Sequence, residues 1–165
     1  MLYVIMSDTH GRTSAIDRIF KGRPRPDGVI HLGDIEGDAP YLNAIAGCPV
    51  YLVPGNCDYF VREPREKILQ LGKHRILLAH GHQYHVSSGL EGLKWAAREK
   101  GCDYAFFGHT HKPCLAETGD VTLVNPGSAA LPRQADHKAS YAQLEIDEAG
   151  DFHISFHYLQ KSLDI

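Results

Sequence analysis

Five times along this 165-residue chain, a short apolar run ends in a cluster of turn residues and metal-capable side chains. Residues 2–6 (LYVIM) lead into Ser7-Asp8-Thr9-His10-Gly11, 29–32 (VIHL) into Gly33-Asp34, and 49–54 (PVYLVP) into Gly55-Asn56-Cys57-Asp58. Residues 75–79 (RILLA) lead into His80-Gly81-His82, and 104–107 (YAFF) into Gly108-His109-Thr110-His111. Short apolar runs bounded by Gly and Pro read as buried strands. In an open α/β sheet, ligands bind beyond the carboxyl ends of the strands. The pattern therefore predicts an α/β protein whose five polar clusters meet at one edge.

The rest of the chain fits that frame. Residues 13–21 (TSAIDRIFK) read as a helix with Thr13 or Ser14 as its cap and Ile16, Ile19 and Phe20 on one face. Residues 38–46 are helix-like, and 90–100 form the best helix, closed by Gly101. Residues 67–71 and 75–79 read as a strand pair, and four further strands are expected at 114–117, 121–124, 141–146 and 152–159. Helices mixed with early strands, then strands alone, indicate a layered α/β sandwich. The length suits one domain over 1–165.

Composition excludes several classes. A formal net charge of −3 without a Lys/Arg cluster leaves no footprint for nucleic acid. No run approaches the ~18 apolar residues of a membrane span. The N-terminus carries neither a basic segment nor a small-residue cleavage site, so a cytoplasmic protein is expected. The four cysteines, 48, 57, 102 and 114, form no CxxC pair, which argues against a zinc ribbon and a disulfide framework. Histidine is the anomaly: there are eleven, seven of them in three tight groups. Clustered imidazoles ask for a metal.

The candidate ligands are Asp8, His10, Asp34, Asn56, His80, His109 and His111. Mixed oxygen and nitrogen donors suit Mn²⁺, Fe²⁺, Co²⁺, Ni²⁺ or Zn²⁺ better than Ca²⁺. Seven donors exceed what one catalytic ion uses, so two ions sharing a carboxylate is the natural division. Such ions sit about 3.5–4 Å apart and can hold a bridging hydroxide for attack on phosphorus. Their excess positive charge also attracts a phosphate ester. The i, i+2 spacing in Asp8-Thr9-His10 and His109-Thr110-His111 is what a strand-like stretch needs to aim both side chains one way.

Taken in order, these five clusters resemble the signature of the calcineurin-like metallophosphoesterases. The short chain, the SDTHG opening, HGHQ at 80–83 and Asn125-Pro126-Gly127-Ser128 are most similar to the small bacterial and archaeal phosphodiesterase subfamily. The retromer subunit of the same fold is also similar. The resemblance implies a four-layer α/β/β/α sandwich of two mixed sheets. It places Asp8, His10, Asp34 and His111 on a first ion, with Asp34 bridging, and Asn56, His80 and His109 on a second. It implies two divalent cations, Mn²⁺ foremost, and hydrolysis of a small or activated phosphodiester, with Asn56, Cys57 and Asp58 as the catalytic group. Asp58 would orient a neighbour, and 125–128 would close one side of the site.

Cys57 lies where many relatives carry a histidine that protonates the leaving group. A phosphocysteine mechanism wants C-x5-R with a glycine cradle, whereas Cys57 to Arg62 is C-x4-R, so a covalent role fails on spacing. An extended backbone would also point Cys57 away from Asn56. A thiol of reference pKa ~8.5 is a weaker donor than imidazolium, so demanding leaving groups should suffer.

Blander readings cover the remainder. His82 is balanced between coordination and a supporting or substrate contact. His31 reads as a hydrogen-bonded core or interface residue, and His74, His85, His137, His153 and His157 as surface or packing residues. Trp95 reads as core or helix-to-sheet packing, and Arg133 as an exposed loop residue. The rivals to a diesterase are a monoesterase on the same site, with only Arg12, Lys112 and Arg133 as extra cations, and a non-catalytic scaffold. Monomer and homo-oligomer both stay open.

Overall fold

The computed structural model describes residues 1–160. Ten strands and three α-helices among these residues build two five-stranded sheets. The first sheet has the order β10-β9-β1-β2-β3, from β1 (Leu2–Met6), β2 (Gly28–His31), β3 (Val50–Leu52), β9 (Ser140–Ile146) and β10 (Phe152–Tyr158). The second has the order β4-β5-β6-β8-β7, from β4 (Glu66–Leu71), β5 (His74–Ala79), β6 (Tyr104–Phe106), β7 (Pro113–Glu117) and β8 (Thr122–Pro126). Both sheets are mixed. Strands β1, β2 and β3 run parallel, as do β5, β6 and β8, while β9, β10, β4 and β7 pair antiparallel.

Three apolar layers divide the molecule into four tiers. Ile5, Ile30, Leu32, Ile76, Leu78, Phe106 and Leu144 fill the space between the sheets. On the outer face of the first sheet, Val4, Met6 and Val29 meet Ile16 and Ile19 of α1 (Thr13–Phe20) and Leu42 of α2 (Ala39–Ala46). On the outer face of the second, Leu77, Ala105 and Leu123 meet Leu93, Ala96 and Ala97 of α3 (Glu91–Glu99). Alternate residues of one strand thus serve two different layers, as the period of two requires. The result is the expected α/β/β/α sandwich.

Two local expectations are corrected. Neither Thr13 nor Ser14 caps α1: Arg12 holds the cap position, without a side-chain hydrogen bond. Trp95 does not pack between helix and sheet. It lies on the solvent face of α3, 57% exposed, with the Arg98 guanidinium 4.9 Å from its ring centre. Gly101 does close α3, one position beyond the cap at Lys100 and with φ of +67°. His74 packs on Tyr104 and Phe152, and His157 stacks on Tyr141.

Candidate metal centre

Parallel strands deliver their carboxyl ends to one rim. Residues 8 and 10 follow β1, 34 follows β2, 56 follows β3, 80 follows β5, and 109 and 111 follow β6. Strand β8 ends there as well, in the Asn125–Ser128 turn.

The side chains do not converge for the expected reason. Asp8, His10, Asp34, His109 and His111 all have positive φ, between 48° and 67°, so neither the Asp8–His10 nor the His109–His111 stretch is extended. Left-handed backbone at a non-glycine residue costs about 1–3 kcal/mol and persists only where the surroundings enforce it. Those surroundings are visible. Asp8 N donates to Gly33 O and His10 N to Asp34 O, tying the first loop to the second. Buried Ser128 donates from its hydroxyl to Asp8 O at 2.8 Å, and buried Asn125 donates to Gly108 O at 2.9 Å. The 125–128 turn is therefore a brace across two loops. Gly108 is required for space: a Cβ there would lie 2.0 Å from Ser7 Oγ and 2.8 Å from Asp8 Oδ2.

Imidazole orientation carries the chemistry. His80 Nδ1 donates to Leu32 O at 2.6 Å, and His111 Nδ1 donates to Leu131 O at 2.6 Å. His10 Nδ1 donates to Glu36 Oε1 at 2.8 Å. A carbonyl or carboxylate only accepts, so each Nδ1 carries its proton and each neutral ring presents a bare lone pair at Nε2. Those three lone pairs face acceptors. His111 Nε2 lies 3.1 Å from Asp8 Oδ1 and 3.2 Å from His10 Nε2, while His80 Nε2 lies 3.4 Å from Asp34 Oδ2 and 3.1 Å from Asn56 Oδ1. Asp8 Oδ1 is buried with no hydrogen-bond donor.

Acceptors packed against acceptors need a positive charge between them. Without a metal, a proton on His80 is favoured there. Burial alone would lower His80, but the Asp34 hydrogen bond and the Asp8 and Asp34 charges outweigh it and raise the ring above its usual value. Burial pushes Asp34 up, and the His80 contacts together with the Cys57 N–H bring it well below the ordinary carboxylate range. Asp8 is likewise lowered, against its burial, by His111 and His80. Metal ions compete with such protons, and the donor set of carboxylate oxygen and imidazole nitrogen suits a divalent cation.

The donors fall into two overlapping groups. Asp8, His10 and His111 form one, and Asp8, Asp34 and His80 form another. Asp8 Oδ1 lies between them, 3.1 Å from His111 and 3.9 Å from His80, and Asp34 Oδ2 lies 3.4 Å from His80 and 3.8 Å from His10. Asp8 thus sits as centrally as Asp34. Asn56 stands beside His80. His109 is less engaged: its ring centre is 5.2 Å from that of His80 and 6.2 Å from that of His82, and its backbone N–H donates to Asp8 Oδ2. His82 borders the cluster, with Nδ1 buried and unpartnered.

The Asn56–Asp58 loop is a turn, which corrects the extended reading. Asn56 Nδ2 lies 3.5 Å from Cys57 Sγ, so the two side chains sit together. Cys57 also forms a donor group with His10 and Glu36, and its backbone N–H donates to Asp34 Oδ1 at 2.8 Å. Burial first, and then the Asp34 charge, push the thiol up to about 11. Asp58 touches no candidate ligand side chain. Its carboxylate accepts from Glu36 N and Gly55 N, each at 2.8 Å, and locks the second loop to the third.

Several contributors were not anticipated. Ser7 hydrogen-bonds Asp8 Oδ2 at 2.6 Å, Glu36 holds His10, and Leu32 and Leu131 act through their carbonyls. Only the hydroxyl of Ser7, adjacent to Asp8, left a trace in the sequence. His31 is buried between Gly33 N and Thr9 Oγ1, a hydrogen-bonded core residue as expected. Arg133 is exposed, with its N–H on His111 O.

The chain and its fold are similar to known proteins. The chain is 33% identical over 152 residues to a probable metallophosphoesterase of Methanothermobacter thermautotrophicus, covering 89% of this chain and 87% of that one. It is 30% identical over 173 residues to the phosphodiesterase YfcE of Escherichia coli, covering 89% of each. Vps29 of Entamoeba histolytica, solved with Zn²⁺, shares the fold at a TM-score of 0.76 and 24% identity, covering 97% of this chain and 100% of that one. The family model for the calcineurin-like phosphoesterase superfamily domain matches residues 1–149. With that match across nearly the whole chain, the protein belongs to the calcineurin-like phosphoesterase superfamily.

Proposed function

We propose that this phosphoesterase is a phosphodiesterase that works with two divalent cations, Mn²⁺ foremost, on small or activated diesters. One observation carries the reading: three Nε2 lone pairs and two carboxylates face one another in two overlapping groups, joined by Asp8 and Asp34. Asp8, His10, Asp34 and His111 would hold one cation. Asp34, Asn56, His80 and His109 would hold the other. When bound, the pair supplies Lewis acidity and an activated water for attack on phosphorus.

The chain's own residues do the rest. Carbonyls of Leu32 and Leu131 and the Glu36 carboxylate fix the three rings before any ligand arrives, so little reorganisation is needed on binding. The Asn56 amide, at the exposed side of the cluster, is placed to hydrogen-bond a phosphoryl oxygen. Cys57 keeps its proton at neutral pH and can donate a weak hydrogen bond to a departing oxygen, which favours leaving groups that need little help. We infer a cytoplasmic setting from the sequence; separately, no helix among the described residues is long and apolar enough to cross a membrane.

The test is a metal-by-substrate panel on metal-stripped protein. Mn²⁺ should restore hydrolysis of bis-p-nitrophenyl phosphate well above that of p-nitrophenyl phosphate, and His109→Ala should abolish it with the fold intact. Faster monoester turnover would favour the monoesterase, and no turnover with any divalent ion would favour the scaffold.

A further inference from the structure

A groove of about 880 Å³ opens directly beside the metal centre. Its lining includes Cys57 and Glu36, the two residues that touch Asp34 and His10. One wall is apolar, built from Val50 and Leu52 of the edge strand β3 and Ala39 and Pro40 of α2. The 58–63 loop also lines it, and there Tyr59 and Phe60 stand 85% and 96% exposed.

Two adjacent aromatic rings left almost wholly in water are uncommon, because each forgoes burial it could obtain by folding inward. Here they flank an apolar trough of the size that ligand sites occupy. Their free faces can stack on a planar ring, and such stacking tolerates any heterocycle. Asn43 and Arg62 also line the groove and supply hydrogen-bonding groups. Asn43 commits only its Nδ2, to Ala39 O, and leaves its amide oxygen available. A bare aryl group would use the rings alone, whereas a nucleoside would use the rings and the polar groups. The groove meets the candidate site at Cys57 and Glu36, so a ligand in it would be the organic arm of the diester.

We infer that the Tyr59–Phe60 groove is the subsite for one organic arm of the substrate, and that this arm is a nucleoside. The inference rests on the phosphodiesterase reading for its catalytic consequence but not for binding. Occupancy of the groove holds the diester against the candidate site at its Cys57 and Glu36 border.

Two measurements test it. Thymidine, which has no phosphate, is titrated into the ¹⁵N-labelled, metal-free protein. Amide shifts should appear at Asn43 and at 59–63 with millimolar saturation, and the Tyr59→Ala/Phe60→Ala protein should bind about tenfold more weakly. Both rings are exposed, so this substitution leaves the core unaltered. An absence of shifts would overturn the groove, and phenol binding as tightly as thymidine would overturn the nucleoside. With Mn²⁺ present, the double substitution should raise KM for thymidine 5′-p-nitrophenyl phosphate about tenfold more than for methyl p-nitrophenyl phosphate. Equal changes in the two esters would overturn the assignment. If wild-type protein turns over neither ester, the phosphodiesterase reading fails, and the thymidine titration still decides the groove.

Discussion

Glu36 accepts a hydrogen bond from His10 Nδ1 at 2.8 Å and thereby turns the His10 Nε2 lone pair toward Asp8 and His111. The same residue is tied through its backbone to Asp58, so one position links the Asp34 loop to both its neighbours. Glu36 lies outside the seven candidate ligands, yet it decides which way one of them faces.

Removing the carboxylate should therefore loosen the metal without touching a ligand. Glu36→Ala is expected to weaken Mn²⁺ binding by about 10–100-fold. Glu36→Gln, whose amide oxygen can still accept, should retain most of the affinity. Calorimetric titration of metal-stripped protein measures both, and equal affinities for Ala and wild type would show that His10 orients itself.

Gly108 should be intolerant of even one methyl group. Its Cβ would overlap Ser7 Oγ and crowd Asp8 Oδ2, and neither can retreat because both are fully buried. Gly108→Ala should cost about 1–3 kcal/mol of stability, as overpacking does, and should displace Asp8. Urea unfolding together with Mn²⁺ titration checks this, and an unchanged midpoint would count against the crowding.

His31 predicts a pH effect on the metal-free protein. Burial comes first among the causes holding its pKa down to about 4, against an ordinary value near 6.5. Because the folded state binds this proton less readily than the unfolded chain, stability is unaffected above pH 6.5. It declines as pH falls from about 6.5 to about 4, by up to roughly 3 kcal/mol. Unfolding of wild type and His31→Gln across this range isolates the contribution: the wild-type profile should be the steeper one.

Cys57 should react sluggishly in the metal-free state. A thiol pushed up to about 11 is almost wholly protonated at pH 8, and the thiolate is the reactive form. Iodoacetamide labelling, mapped by mass spectrometry, should be about 100-fold slower at Cys57 than at a thiol of ordinary pKa, and should accelerate above pH 10. In the companion experiment, Cys57→His should improve turnover of diesters with poor leaving groups more than of nitrophenyl esters.

The sequence by itself determined the strands, the three helices and the inventory at their ends. Apolar runs such as 2–6 and 75–79 have one stable use in a layered protein, and the polar clusters after them had to emerge at strand termini. What it could not carry was how the loops hold one another. The i, i+2 pairs looked extended because alternation is the only local rule for aiming two side chains together. In the folded protein Asp8, His10, His109 and His111 instead take left-handed backbone, enforced by hydrogen bonds from distant segments. Ser128 reaches Asp8 across 120 residues, and His10 meets His111 across 101. Only the tertiary structure decided those meetings. They depend on two sheets packing face to face, and that packing also set Asp8 between the two donor groups, gave Glu36 its hold on His10 and left Tyr59 and Phe60 in water.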